Sequence, residues 1–233
     1  MSERLLHILI TSFTKILIPG IKVTIPLTLF AFLFSMILAI LLAVVQVAEV
    51  RFFKQLSQIY IWIFRGTPLI VQLFIIFFGL PSIGIMIDAF PAAVIAFGMN
   101  LAAYNAEVLR AAILAVPRGQ TEAAYLIGLT PAQTMIRVVL PQAFPIAFPS
   151  LFNNLISLVK DTSLASSITV TELFTSAQQI AARTYEPFAL YCEAAVIYLL
   201  FCTILTWIQS FIEDRLQWKS KGNKAILGKK VSE

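Results

Sequence analysis

Charge is what this sequence has least of. Only 12% of its 233 residues are Asp, Glu, Lys or Arg, 59% are hydrophobic, and the mean hydropathy is +0.89. Soluble domains carry about a quarter charged residues, so the shortage excludes a soluble catalytic domain and places the chain in a membrane. Histidine occurs once, at His7, and no Cys or carboxylate cluster stands in for it, which argues against a metal centre. A membrane enzyme would need a nucleophile with its base, and no Ser/His or Cys/His pair falls inside the apolar segments. The two cysteines, Cys192 and Cys202, lie ten residues apart in one apolar run; a straight helix separates them by about 15 Å, beyond disulfide reach, and they read as packing residues. No G-x-x-x-x-G-K phosphate loop is present, so any nucleotide must be held by another chain. The N-terminal MSERLLHILITSF lacks an A-x-A cleavage site and is expected to stay in the protein.

The charge that is present is unevenly placed. The net charge of +5 arises largely beyond the last apolar run, at Arg215, Lys219, Lys221, Lys224, Lys229 and Lys230. Residues 215–233 therefore read as a basic cytoplasmic tail anchoring the membrane domain, and nucleic acid is not an expected partner.

A helix needs about 20 mostly apolar residues to cross roughly 30 Å of hydrocarbon, and five segments qualify. Residues 23–48 carry no charge, and 56–79 are interrupted only by Arg65, within FRGTPLIVQLF. The third runs from 91 to about 115, with Pro91 suited to a first turn and Glu107 and Arg110 near its end. The fourth, 138–159, is uncharged, and Pro141, Pro145 and Pro149 predict a bent or irregular opening. The fifth, 188–212, holds one acid, Glu193.

Five spans put the termini on opposite sides. The basic tail assigns the C-terminus to the cytoplasm and the N-terminus to the outside. Arg51, Lys54, Arg118 and Arg137 then fall inside, while the 80–88 and 162–187 loops fall outside with balanced or acidic charge from Asp88, Glu172, Arg183 and Glu186. Arg4, Lys15 and Lys22 run against this pattern; residues 1–22 are expected to form an interfacial amphipathic segment ahead of a 23–214 transmembrane domain.

The longest cytoplasmic loop is RGQTEAAYLIGLTPAQTMIRVVLPQA, residues 118–143. Thr121 is placed to cap a helix whose positive end would favour Glu122. Gly128 allows a reversal, and Thr130 with Pro131 starts a second helix. Connections between helices are ordinarily much shorter, so this one is expected to present a docking surface.

Its core, EAAYLIGLTPAQTMIRVVLP, resembles the EAA motif of ABC importer permeases. Glu122, Ala123, Ala124, Gly128, Leu140 and Pro141 match at the motif's spacing, with Val138 where isoleucine is usual. RGTPLIVQL, NLAAYNAEVLRAAILAVPRGQTEAA and SLVKDTSLASSI look like the polar amino acid subgroup, and the resemblance covers roughly residues 15–218. It implies an all-α integral membrane protein of the type I ABC importer permease fold, with five transmembrane helices and a cytoplasmic coupling helix in the 118–141 region. It further implies a multi-pass protein of the bacterial cytoplasmic membrane that is itself no enzyme. ATP and Mg would be bound by partner ABC ATPase subunits, with no cofactor on this chain. The other implied partners are an extracytoplasmic amino-acid-binding protein, a second permease copy or related permease, and membrane lipid. The resemblance makes the interruption at Arg65 and Thr67 part of the pathway lining; a kinked helix whose arginine reaches to headgroups is the other reading.

Intramembrane polar residues default to function. Asn100, Tyr104 and Glu107 share one helical face, as do Ser150, Asn154, Ser157 and Asp161. The two stripes suggest a shared polar path for an amino acid; hydrogen-bonded glue between helices is the alternative. Glu107 and Arg110, three apart, read first as a local ion pair and second as a gate. An ion-coupled transporter or channel is the rival function, but it leaves the long loop unexplained and usually shows internal repeats. The stripes hold amides and few acids, which favours a neutral or zwitterionic polar amino acid, such as glutamine or cystine, over lysine or arginine.

Overall fold

The computed structural model describes residues 3–47 and 51–230, with 217–230 as backbone alone, and every regular element among them is a helix. Helix α1 (Glu3–Pro19) passes through a π turn (Gly20–Thr24) into α2 (Ile25–Val47), giving one continuous helix of 45 residues. The expected boundary after residue 22 thus falls within an unbroken helix. Its first part is packed into the bundle: Ile16 is fully buried with Leu173, Ala177, Leu190 and Ile197, and the Ser12 hydroxyl donates to the Glu193 carboxylate.

Helix α3 (Arg51–Gly66) meets α4 (Leu69–Phe74) at an angle of 106°, taken with the π turn (Ile75–Gly79) and 3-10 turn (Leu80–Ile83) that extend α4. The break sits where the sequence places it, because Pro68 cannot donate and the carbonyls before it lose their partners. Gln72 replaces those partners: its Nε2 donates to Phe64 O at 2.9 Å and Thr67 O at 3.1 Å. Then follow α5 (Ala89–Leu114), α6 (Arg118–Leu126) and α7 (Pro131–Thr134). The last runs through a π turn (Met135–Val139) into α8 (Leu140–Asp161). A 3-10 segment (Thr162–Ile168), α9 (Leu173–Thr184) and α10 (Pro187–Lys230) complete the chain.

The three π turns have one cause. In each, the next residue donates five positions back (Ile25 to Gly20, Leu80 to Ile75, Leu140 to Met135) and is followed by proline, at 26, 81 and 141. A proline has no N–H and crowds the carbonyl four residues behind it, so the hydrogen-bond register slips by one just ahead of it. The irregular opening expected for 138–159 is this slip at Val138 and Val139; beyond it α8 stays helical through Pro145 and Pro149.

Among the described residues four helices are long and apolar enough to cross a membrane, and the bent α3–α4 pair, counted as one crossing, makes five. The tightest pair is α2 with α5. Ala31, Ser35, Ala39 and Ala43 recur every fourth residue on α2 and face Ala92, Ala96, Ala103 and Ala106 of α5, all at most 1% exposed. Small side chains let backbones approach, which is what packs helices where lipid is as apolar as leucine. Gly98 marks a close approach, since a Cβ there would lie 2.3 Å from Phe34 Cδ1. Helix α8 packs on α5, and α10 packs on α8 and α9.

The stretch 162–187, expected as an outer loop, is mostly helix, and α9 packs between α1 and α10. Glu172, expected among the loop's exposed charges, is 0% exposed. Its carboxylate caps α9 by accepting from Phe174 N (2.8 Å) and Thr175 N (2.7 Å), and also takes the hydroxyls of Thr175, Tyr198 and Thr24.

Candidate functional site

The 118–141 region projects from the end of the α5–α8 pair. Helix α6 begins at Arg118, earlier than expected, because Pro117 ends the preceding segment and its carbonyl takes the Gln120 N–H at 3.0 Å. Thr121 consequently lies inside the helix and caps nothing, and Glu122 sits past the first turn. The far end matches the sequence reading. Gly128 has φ +84°, its N–H bonds Tyr125 O, and the Leu129 N–H bonds Ala124 O; this left-handed closure favours glycine for want of a Cβ. Thr130 caps α7 with Pro131 at its first position, completed by the reciprocal bond from Thr130 N to Gln133.

Of the motif residues, Ala124 is buried at 3% exposure, while Glu122, Ala123, Gly128, Leu140 and Pro141 are exposed. Buried Ala112, Ile113, Val116, Val139 and Ala143 clamp the bases of α5 and α8 together beneath the loop. The tip is apolar: Leu126 is 88% exposed and Ile127 78%, with Ile136 beside them. Sequence reasoning passed over these three, although a pair of large aliphatics just before a helix-ending glycine is a visible signal.

A second feature is a polar crevice of about 550 Å³ between α2, α3 and α5, on the half of α5 nearer the loop. Its lining includes Gln46, Lys54, Gln58, Trp62, Arg65, Glu107 and Arg110. Arg110 grips both oxygens of Glu107, Nη2 to Oε2 at 2.8 Å and Nε to Oε1 at 3.2 Å. The Arg65 guanidinium lies 5.3 Å from the Tyr104 ring centroid, a cation–π arrangement. A crevice of this size falls in the range of small-ligand sites. Helix α3 contributes Gln58, Trp62 and Arg65 at helical spacing. Gln58 and Trp62 were not foreseen, because neither disturbs a hydropathy profile as a charge does.

The structure divides the expected shared path. Arg65, Tyr104 and Glu107 gather at the crevice. Asn100 instead braces the α3–α4 break, donating to Phe64 O and Gln72 Oε1, and Thr67 joins the same cluster through Gln72. Asn154 turns to the interior, where its Nδ2 donates to Asn105 Oδ1 at 2.8 Å, and Asn105 donates on to Ser35 Oγ at 3.1 Å. Asn105, fully buried, was missed because it stands one position off the stripe that carries Tyr104. Ser157 and Asp161, further along the same face of α8, are exposed. Within one chain the α5 stripe thus contacts α3 and α4 through Asn100, and the α8 stripe reaches α5 through Asn154 and Asn105.

Known proteins match this arrangement over most of the chain. The family model for the binding-protein-dependent transport system inner membrane component matches residues 35–218. The L-cystine transport system permease protein TcyB of Bacillus subtilis is 50% identical over 206 residues, 88% of each chain. A probable amino-acid ABC transporter permease protein, PatM of Vibrio harveyi, is 43% identical over 86% of this chain and 92% of its own. Among solved structures, an amino acid ABC transporter crystallised with histidines aligns at TM-score 0.84 and 34% identity, covering 92% of this chain and 100% of that one. The chain belongs to the binding-protein-dependent transport system inner membrane component family, among the permease subunits of amino acid ABC importers, and is a multi-pass protein of the inner membrane.

Proposed function

We propose that α6, with its apolar tip at Leu126 and Ile127, is the element through which this permease docks a separate ATPase subunit, and that the crevice is part of the amino acid's path. The observation that carries the reading is the mounting of α6. It is a short, exposed helix closed by a left-handed glycine and fixed to two spanning helices that are clamped by small and aliphatic residues. Such a mount transmits a push on α6 to α5 and α8 together. ATP and Mg reside on the ATPase in this reading, and the permease equilibrium between inward-open and outward-open states is biased by nucleotide there and by an amino-acid-binding protein outside. The permease works with a second copy or a related chain, its N-terminus outside and its C-terminus in the cytoplasm. The cargo is a polar amino acid without net positive charge, of which L-cystine, named for the Bacillus relative, is an example; among the described residues the crevice lining sets three cations against one carboxylate.

The test is co-purification. The chain, tagged at its C-terminus and extracted in mild detergent, should bring down an ABC ATPase, and Glu122→Lys or Gly128→Asp should abolish recovery of that ATPase while the permease remains in the membrane. Undiminished ATPase recovery with both variants would overturn the docking role.

A further inference from the structure

The crevice is lined by polar groups, yet among the described residues Glu107 is the single carboxylate in its lining, and both of its oxygens face Arg110 one helical turn away. The pair is held but not sealed: the side chains of Arg110 and Glu107 are 36% and 27% exposed, so they front the crevice and not the packed core. Arg65, set over Tyr104, adds a second guanidinium to the same wall. An amino acid whose side chain is cationic needs a carboxylate to replace its hydration, and the one on offer is already occupied. A zwitterion meets no such deficit, since its carboxylate finds arginine and its ammonium can use the amide oxygens of Gln46 and Gln58.

We propose that Arg110 is the residue that sets charge selectivity in this crevice: by occupying Glu107 it closes the wall to cationic amino acids and leaves it open to those of zero net charge. The proposal rests on the crevice being part of the transport path. It makes Glu107 and Arg110 a matched pair whose two halves, removed one at a time, change selectivity in opposite directions. Removing the guanidinium exposes a carboxylate, and removing the carboxylate exposes a guanidinium.

The experiment uses the whole transporter, permease with its ATPase, in lipid nanodiscs without the binding protein, so that selectivity of the membrane domain alone is read. Binding of radiolabelled L-cystine, L-glutamine, L-lysine and L-glutamate is measured by scintillation proximity. Wild type should bind a zwitterionic probe and exclude lysine. Arg110→Gln should gain lysine binding by about tenfold or more, and Glu107→Gln should gain glutamate by a similar factor, because one unit charge brought to hydrogen-bonding distance in a partly desolvated site is worth at least that much. Arg110→Lys should keep excluding lysine, and the double variant should gain neither ligand. If Arg110→Gln does not assemble, Glu107→Gln and Arg110→Lys still carry the test. Unchanged lysine and glutamate preference in the assembled variants, with zwitterion binding retained, overturns the selector. Absence of amino acid binding in wild type itself, with the ATPase assembled and active, overturns the path reading beneath it.

Discussion

Glu172 and Glu107 are two carboxylates held in opposite ways. Glu172 is fully buried and receives five donors, none of them cationic, from the π turn before α2, from α9 and from α10. Glu107 is partly exposed and held by one arginine on its own helix. The first ties three elements that are far apart in sequence, and the positive end of α9 favours its charge. The second is held chiefly within one turn of α5, with Arg65 of α3 and Gln46 of α2 as weaker neighbours, and its charge stays answerable to whatever enters the crevice. Burial alone does not tell the two apart by role; the origin of the partners does. Donors gathered from several elements mark a structural tie, and a local partner in an open crevice marks a group whose pairing can be exchanged.

The strongest way to break that distinction is Glu172→Leu. It leaves the Phe174 and Thr175 N–H groups and the Thr24 and Tyr198 hydroxyls facing an alkyl chain, while the Thr175 hydroxyl keeps Val170 O at 2.7 Å; each buried donor left unmade costs roughly 1–3 kcal/mol. The expected result is a loss of several kcal/mol, seen as a sharply lowered unfolding midpoint in detergent and little recoverable transporter. A midpoint equal to wild type would show that the five bonds do not hold this end of the bundle together.

The sequence announces these two acids very differently. Glu107 is conspicuous as a charge inside an apolar run, with Arg110 three residues on, so its ion pair is legible from the spacing alone. Glu172 stands among Thr, Ser and Gln and looks like an ordinary loop acid, because its partners at Thr24 and Tyr198 are 148 and 26 residues away. The same division runs through the rest of the molecule. Gly128, Thr130, Pro131 and the break at Pro68 are read correctly because their causes are local: a φ only glycine favours, a cap three residues from its partner, a missing N–H. The π turns ahead of Pro26, Pro81 and Pro141 are local too, and the last of them is the irregularity expected where the fourth span opens. The Asn105–Asn154 bond and the course of α9 are not legible, since helical spacing says which residues share a face and not which helix that face meets.

Asn105→Leu sharpens the comparison inside the membrane. It removes the bond to Ser35 and strands Asn154 Nδ2 between α5 and α8. Interhelical hydrogen bonds of this kind average about 0.6 kcal/mol and reach about 1.7, so the midpoint should fall measurably but far less than with Glu172→Leu. A drop as large as that of Glu172→Leu would mean that a single amide pair can equal a five-donor node. At the loop, Gly128→Ala imposes a Cβ at φ +84°, where L-residues pay roughly 1–2 kcal/mol. Nothing lies within 4 Å of that Cβ, so the cost is purely conformational. ATPase affinity should weaken about five- to thirtyfold, with the membrane domain's midpoint unmoved. A lowered midpoint would place Gly128 with the structural ties.

The smallest expected effect on stability is the most discriminating. Glu107→Gln removes a charge that is partly exposed and paired within one helical turn, and solvent screening leaves such pairs about 0–1 kcal/mol. The side chain keeps its length, and its amide oxygen can still accept from Arg110, so the midpoint should stay close to wild type while the charge preference of the crevice changes. Glu172→Gln is the matched control: it also trades one carboxylate oxygen for an NH₂ group, but each oxygen here accepts a backbone N–H, Oε2 from Phe174 and Oε1 from Thr175, so in either orientation the new NH₂ group faces a backbone donor and the midpoint should fall. Midpoints that fall equally in the two variants would erase the contrast between a tie and an exchangeable partner. Glu107 would then belong to the scaffold, its pairing with Arg110 serving to hold α5 in shape.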